Sequence, residues 1–168
     1  MGTEDLPGQM TAEARELLRD MKAIASEKLA PIAAAGTPGR LNRPLIAALA
    51  EHGVLPRIFP EELDGTGTGE ASAAVLCLLR EGLAQGSTEA ETALALQGLG
   101  AYPILQAGRE ELRRRWLPRV AQGEAVAAFA LTEPEAGSDA GRLTLNAERT
   151  DGGYVLTGQK KWISNAPD

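Results

Sequence analysis

The sequence predicts an α+β chain, with an N-terminal all-α helical domain over residues 1–124 followed by the first strands of an antiparallel β domain over 125–168, truncated before that domain is complete. Three observations predict it. Apolar residues recur at three- and four-residue spacing from Thr11 to about Gly123, as they do in helices that bury one face. After Glu124 this gives way to strand-like runs at 126–131, 143–149 and 154–164. The second and third runs flank Asp151-Gly152-Gly153, residues that accept the positive φ of a hairpin turn. Apolar residues make up 43% of the 168 but aromatics only 4%, so the core is built from Leu, Ala, Val and Ile, a composition that leans toward helix. Residues 125–168 are too few to cover the edges of an independent β domain.

Taken in order, the residues before Thr11 hold Gly2, Pro7 and Gly8 among polar neighbours and read as a frayed tail. Thr11 suits the N-cap of a first helix whose apolar face carries Leu17, Leu18, Met21, Ile24, Ala25 and Leu29. Pro31 should kink or end it, and Gly36, Pro38 and Gly39 mark a loop. A second helix is expected from about Asn42 to His52, with Leu45, Ile46 and Leu49 inward and Gly53 as its stop. Gly65-Thr-Gly-Thr-Gly69 lacks the lysine of a phosphate loop and no strand precedes it, so it is read as a turn. A third helix takes in 71–83, with Val75, Leu76, Leu79 and Leu83 as its buried stripe. Ser87 caps a fourth that runs toward Gly98, and Pro103 interrupts the next segment. A fifth covers 110–116, its last turn carrying Arg113, Arg114 and Arg115 as a solvated end. Pro118 opens a short final helix that Gly123 stops.

Charge and composition exclude several functions. Lys plus Arg number 17 against 23 Asp plus Glu, net −6, without a basic stripe, which disfavours nucleic acid. No apolar run approaches the roughly 20 residues that span a bilayer, and the N-terminus lacks a signal peptide's regions. The expectation is a soluble, cytoplasmic protein with no membrane partner. The single cysteine, Cys77, cannot form an internal disulfide and reads as a buried, inert thiol in the apolar run 73–79. His52, the only histidine, has no ligand-spaced companions, so it is read as a helix-terminal residue and no metal site is expected.

Functional signals concentrate at 129–139. An apolar run halts at Thr132, Glu133 and Pro134, where the proline removes a ladder donor. Gly137, Ser138 and Asp139 then allow close backbone approach and offer hydroxyl and amide donors, a setting suited to phosphate or the edge of a heterocycle.

The string Ala130-Leu-Thr-Glu-Pro-Glu-Ala-Gly-Ser-Asp139, with Gly158-Gln-Lys-Lys-Trp-Ile-Ser-Asn165 shortly after it, closely resembles the paired signature of the acyl-CoA dehydrogenase family. Phe59-Pro-Glu-Glu-Leu-Asp-Gly65, Gly100-Ala-Tyr-Pro-Ile104 and Arg115-Trp-Leu-Pro-Arg-Val-Ala-Gln-Gly-Glu124 agree, so the resemblance extends from about Thr11 onward. It implies an N-terminal helical domain, the opening of a middle β-barrel domain, and FAD as cofactor. Phe129, Ala130, Leu131 and Thr132 then match the strand beside the flavin ring. Gly137 and Ser138 match the loop at its pyrophosphate, with Ser138 also reaching the CoA thioester. Trp162, Ile163 and Ser164 match the segment packed against the flavin, Trp162 by its ring and Ser164 by its hydroxyl. The implied reaction removes the proton α to the thioester carbonyl and passes hydride from the β carbon to flavin, leaving a trans-2-enoyl-CoA. The implied electron acceptor is an electron-transfer flavoprotein, and the implied assembly is a homotetramer or homodimer. No catalytic residue is assigned: the family's base is a glutamate from a later segment, so Glu133 is expected to fix the turn and Glu135 to be solvated. Two alternatives stay open, a shortened non-catalytic helical association module and an acyl-CoA oxidase of the same fold.

Overall fold

Thr11 caps the first helix as expected: its hydroxyl accepts from the Ala14 amide at 3.2 Å. The computed structural model describes residues 10–67 and 73–166. The N-terminal tail, Gly69 of the glycine-rich turn and the expected helix start at Ala71 lie outside the described residues. Helix α1 (Ala12–Ile24) passes through a π turn at Ala25–Leu29 into α2 (Ala30–Ala34). The chain therefore stays helical past Pro31 instead of ending there. The Ala30 amide donates to the Ala25 carbonyl across the widened turn, and Pro31 falls in the first turn of the next segment, where no N–H is required.

Helix α3 (Arg43–Glu51) starts on Asn42, whose side chain accepts from the Leu45 amide and donates to the Ile32 carbonyl, tying α3 to α2. His52 is its C-cap and Gly53 comes next at φ +68°, so both stand at the helix end as expected. After two 3-10 turns (Leu55–Ile58 and Glu61–Leu63) come α4 (Ala73–Ala84), α5 (Thr88–Ala107) and α6 (Glu110–Ala121). On α4, Leu79 and Leu83 are buried, Val75 and Leu76 only half-buried.

Cys77 is exposed, which corrects the buried-thiol reading. It stands two positions from buried Leu79, roughly opposite on a helix of 3.6 residues per turn. A continuous apolar run has no period and cannot say which of its residues face inward.

Two further expectations about proline are corrected. Helix α5 does not stop near Gly98 or break at Pro103, and α6 holds Pro118 in its interior rather than giving way to a new helix. Each proline frees the carbonyl four residues earlier, on Leu99 and Arg114, and both of those residues are exposed, so water can satisfy it. The three arginines expected at a solvated helix end stand in the middle of α6 instead: Arg114, paired with Glu110 at 2.6 Å, and Arg115, over the Trp116 ring, are exposed, but Arg113 is half-buried and its Nε is buried without a hydrogen-bond partner among the described residues.

Two buried clusters make the core. One joins α1, α3 and α4 through Met21, Leu49, Leu79 and Leu83, and the other joins the 3-10 turns to α6 through Phe59, Leu63, Leu117 and Val120. Helix α5 belongs to both, by Leu94 in the first and Ala101 and Leu105 in the second. It is the spine of the helical half. Among the described residues no helix is long and apolar enough to cross a membrane.

Strands β1 (Asn146–Thr150) and β2 (Gly153–Thr157) form an antiparallel hairpin in which Ala147 faces Leu156 and Thr150 faces Gly153 across the two-residue turn Asp151-Gly152. The α+β architecture is thus the expected one, but two strands are shorter than predicted and one is missing. The 143–149 run pairs only from Asn146, and the 154–164 run stops at Thr157, where Gly158 turns the chain at φ +152°. The 126–131 run has no ladder partner among the described residues. Side chains hold it instead, Gln97 and Lys160 among them.

Candidate cofactor-binding site

Residues 125–133 leave α6 and cross the spine helix. Gln97 on α5 is 0% exposed, and both ends of its amide are used. Its Nε2 donates to the Ala125 carbonyl at 3.0 Å, and its Oε1 accepts from the Ala127 amide at 2.6 Å. The crossing is close because α5 offers a glycine there. A Cβ on Gly100 would stand 2.8 Å from the Ala127 Cβ and 3.0 Å from the Ala128 nitrogen.

The segment ends in a tight turn over Glu133, Pro134, Glu135 and Ala136, closed by the Glu133 amide donating to the Ala136 carbonyl (2.9 Å) and the reverse bond at 3.3 Å. Glu133 is 5% exposed, and its carboxylate accepts from the Thr144 amide (2.7 Å), the Thr144 hydroxyl (2.8 Å), the Leu145 amide (2.9 Å) and Lys160 Nζ (3.0 Å). It fixes the turn, as the sequence predicted, and also roots the β hairpin that begins at Asn146. Glu135 is exposed.

The amides of Thr144 and Leu145, aided by Lys160 and the Thr144 hydroxyl, outweigh desolvation and lower the Glu133 carboxyl from its ordinary 4.5 to about 2. A carboxyl depressed in the folded state stabilises it fully above its ordinary value and loses that contribution as the pH falls toward the folded one. The Leu145 amide resonance is therefore expected to titrate with a midpoint near 2. A midpoint near 4.5 would contradict the buried four-donor arrangement.

The second motif returns alongside the first. The Lys161 amide donates to the Thr132 carbonyl at 2.9 Å, Lys160 Nζ to the Leu131 carbonyl at 2.8 Å, and Asn165 Nδ2 to the Ala127 carbonyl at 3.1 Å. Residues 129–132 and 160–165 are thereby brought together, although more than 25 positions separate them. Trp162 stands out from this pair of segments. Its backbone has φ +60°, uncommon for a bulky residue, and its side chain is 80% exposed. Lys161 Nζ lies 4.8 Å from the ring centroid. A large aromatic held outward by strained backbone offers a flat stacking surface.

Of the other residues singled out, Phe129, Leu131, Thr132 and Ile163 are half-buried, and Ala130, Gly137, Ser138 and Ser164 exposed. Among the described residues, no hydrogen bond engages the amides of residues 129–132 or the hydroxyls of Thr132, Ser138 and Ser164. Unclaimed donors beside an exposed indole suit a planar ring carrying acceptor atoms. Sequence reasoning missed Gln97 and Asn165. Gln97 is a lone amide within the apolar stretch 93–99, a visible signal for a buried polar contact.

A separate groove of about 710 Å³ opens between α4, α5 and the 3-10 turns, lined by residues such as Phe59, Leu76, Leu99 and Tyr102. It shares no residue with the 129–165 site.

The family described as acyl-CoA dehydrogenase, N-terminal domain, matches residues 11–124, and the acyl-CoA dehydrogenase middle domain matches 128–168. The chain is 31% identical over 156 residues to cyclohexane-1-carbonyl-CoA dehydrogenase of Geobacter metallireducens, covering 92% of this chain and 40% of that one. It is 35% identical over 160 residues to benzylmalonyl-CoA dehydrogenase of Aromatoleum aromaticum, covering 94% and 42%. The structure of an acyl-CoA dehydrogenase complexed with FAD from Bacillus anthracis superposes with a TM-score of 0.78 at 29% identity, over 96% of this chain and 28% of that one. The chain spans about two fifths of the length of these curated relatives. With its helical half and its paired motifs both matched, the chain belongs to the acyl-CoA dehydrogenase family.

Proposed function

We propose that this chain supplies the helical domain (1–124) and the opening of the flavin wall (125–168) of an FAD-dependent acyl-CoA dehydrogenase that converts an acyl-CoA thioester to its trans-2-enoyl product. The observation that carries the reading is Trp162, held outward at positive φ beside a segment whose amides and Thr132 hydroxyl are unclaimed. That donor set fits the acceptor atoms of an isoalloxazine edge, and the similarity to a structure complexed with FAD supports the same cofactor. FAD, when bound, supplies the two-electron acceptor for the oxidation.

In this reading the backbone of Phe129, Ala130 and Leu131 and the hydroxyl of Thr132 orient the ring edge. Trp162 stacks on it, Ile163 packs beside it, and Ser164 adds a hydroxyl. Gly137 is exposed in the loop that approaches the pyrophosphate. Ser138, exposed and able both to donate and to accept, contacts the pyrophosphate and the thioester substrate. Glu133 is unsuited to be the base, because its carboxylate is occupied by four donors. The proton α to the carbonyl is removed by a group outside residues 10–166. An electron-transfer flavoprotein accepts the electrons, and the working protein is a homo-oligomer. Residues 10–166 provide one wall only, so the 168-residue chain alone is expected to hold FAD weakly and to lack activity.

The test uses the protein purified from its complete reading frame and loaded with FAD, titrated anaerobically with straight-chain and cyclic acyl-CoA thioesters. Bleaching of the flavin's visible absorption by at least one thioester is expected. Bound FAD that no thioester bleaches would sink the dehydrogenase reading, and rapid peroxide formation on admitting air would favour an oxidase.

A further inference from the structure

We propose that Glu133 and Lys160 are positioning residues of the cofactor wall: their pair fixes residues 129–132 against 162–164, and flavin binds only when that spacing is held. The inference rests on the flavin reading above. Lys160 and Glu133 side chains are 19% and 4% exposed, so both charges are largely withdrawn from water. A buried ion pair returns little net stability, because desolvation offsets the attraction. Geometry gives the pair a clearer role.

Lys160 Nζ contacts both the Leu131 carbonyl and Glu133 Oε1, while the next residue's amide, on Lys161, takes the Thr132 carbonyl. Two successive carbonyls are thus gripped by two successive residues, one through a side chain and one through the backbone. Such a double attachment sets both the position and the rotation of residues 131–132, and rotation decides where the unclaimed amides and the Thr132 hydroxyl point. Glu133 holds Lys160 in place and carries the constraint to the hairpin root through Thr144 and Leu145. Trp162 is one residue beyond Lys161, so its strained backbone depends on the same anchor.

The test uses the protein from its complete reading frame with Lys160→Met, Lys160→Arg and Glu133→Gln. FAD affinity is read by quenching of flavin fluorescence, and hydrogen exchange of the Lys161 amide is followed without flavin. Lys160→Met and Glu133→Gln are expected to weaken FAD binding by about tenfold and to speed exchange at Lys161, with helical amides unchanged. Lys160→Arg, which keeps charge and donors, is expected to return affinity to within about threefold of the parent. Parent-like affinity and exchange in Lys160→Met overturn the proposal, and so does equally faster exchange throughout the helices, which makes the pair a global stabiliser. A parent that binds no FAD sinks the flavin reading and this proposal with it, whereas a parent that binds with unaffected variants sinks the clamp alone.

Discussion

Gly82→Leu is expected to destabilise the helical half by forcing α4 away from α1. Gly82 is buried where α4 crosses α1, and a Cβ there would lie 2.5 Å from the Met21 Cβ, 2.9 Å from the Leu18 carbonyl and 3.3 Å from the Lys22 nitrogen. Two of these are backbone atoms of α1, which no side-chain rotation can clear. Helix propensity alone would favour alanine over glycine by about 1 kcal/mol, so the close approach runs against the local preference. Gly82→Ala is expected to cost a net ~1–3 kcal/mol, and leucine more, because overpacking forces the helices apart. Total stabilities of about 5–15 kcal/mol make either change readable. Urea unfolding followed by far-UV circular dichroism should show a lowered midpoint with an unchanged slope. An alanine variant at or above the parent's midpoint would mean that α1 can move aside at no cost.

Features that depend on neighbours in the chain were legible in the sequence. The caps at Thr11 and Ser87 are each satisfied within three residues, and the hairpin is set by Asp151-Gly152. Pro103 and Pro118 were misread, and Pro31 does not end its helix, because a missing N–H fixes only part of a helix's fate. Whether the helix continues depends on where the freed carbonyl faces, or on a π turn upstream, and both are settled by tertiary packing. Cys77 failed for a related reason, since an unbroken apolar run carries no facing information. The strand expected at 126–131 failed because a strand needs a partner, and here Gln97, Lys160, Lys161 and Asn165 take its place from up to 38 positions away. At the site, the turn and the role of Glu133 were readable from 132–135. Lys160 reaching back across 27 positions was not, because the sequence does not reveal long-range contacts between polar residues.

Gln97→Met is expected to loosen the 125–133 segment from α5 and thereby uncouple the site from the helical core. Methionine fills nearly the same volume, so the change removes two hydrogen bonds and leaves the packing almost intact. The Ala125 carbonyl and the Ala127 amide would then lose their partners beside a residue that is 0% exposed. Each polar group left unpaired in the interior costs about 1–3 kcal/mol. Both residues are half-buried, so water recovers part of this, and a total near 2–3 kcal/mol is expected. The loss is local in form. Ala127 also receives Asn165, so freeing its backbone releases the second motif at its far end. Hydrogen exchange should therefore quicken at Ala127 and Lys161, while amides of α1 and α4, whose mutual packing does not involve Gln97, keep their protection. Uniform acceleration across all helices would show instead that Gln97 stabilises the whole molecule, and no acceleration at Ala127 would show that the crossing at Gly100 holds the segment without it.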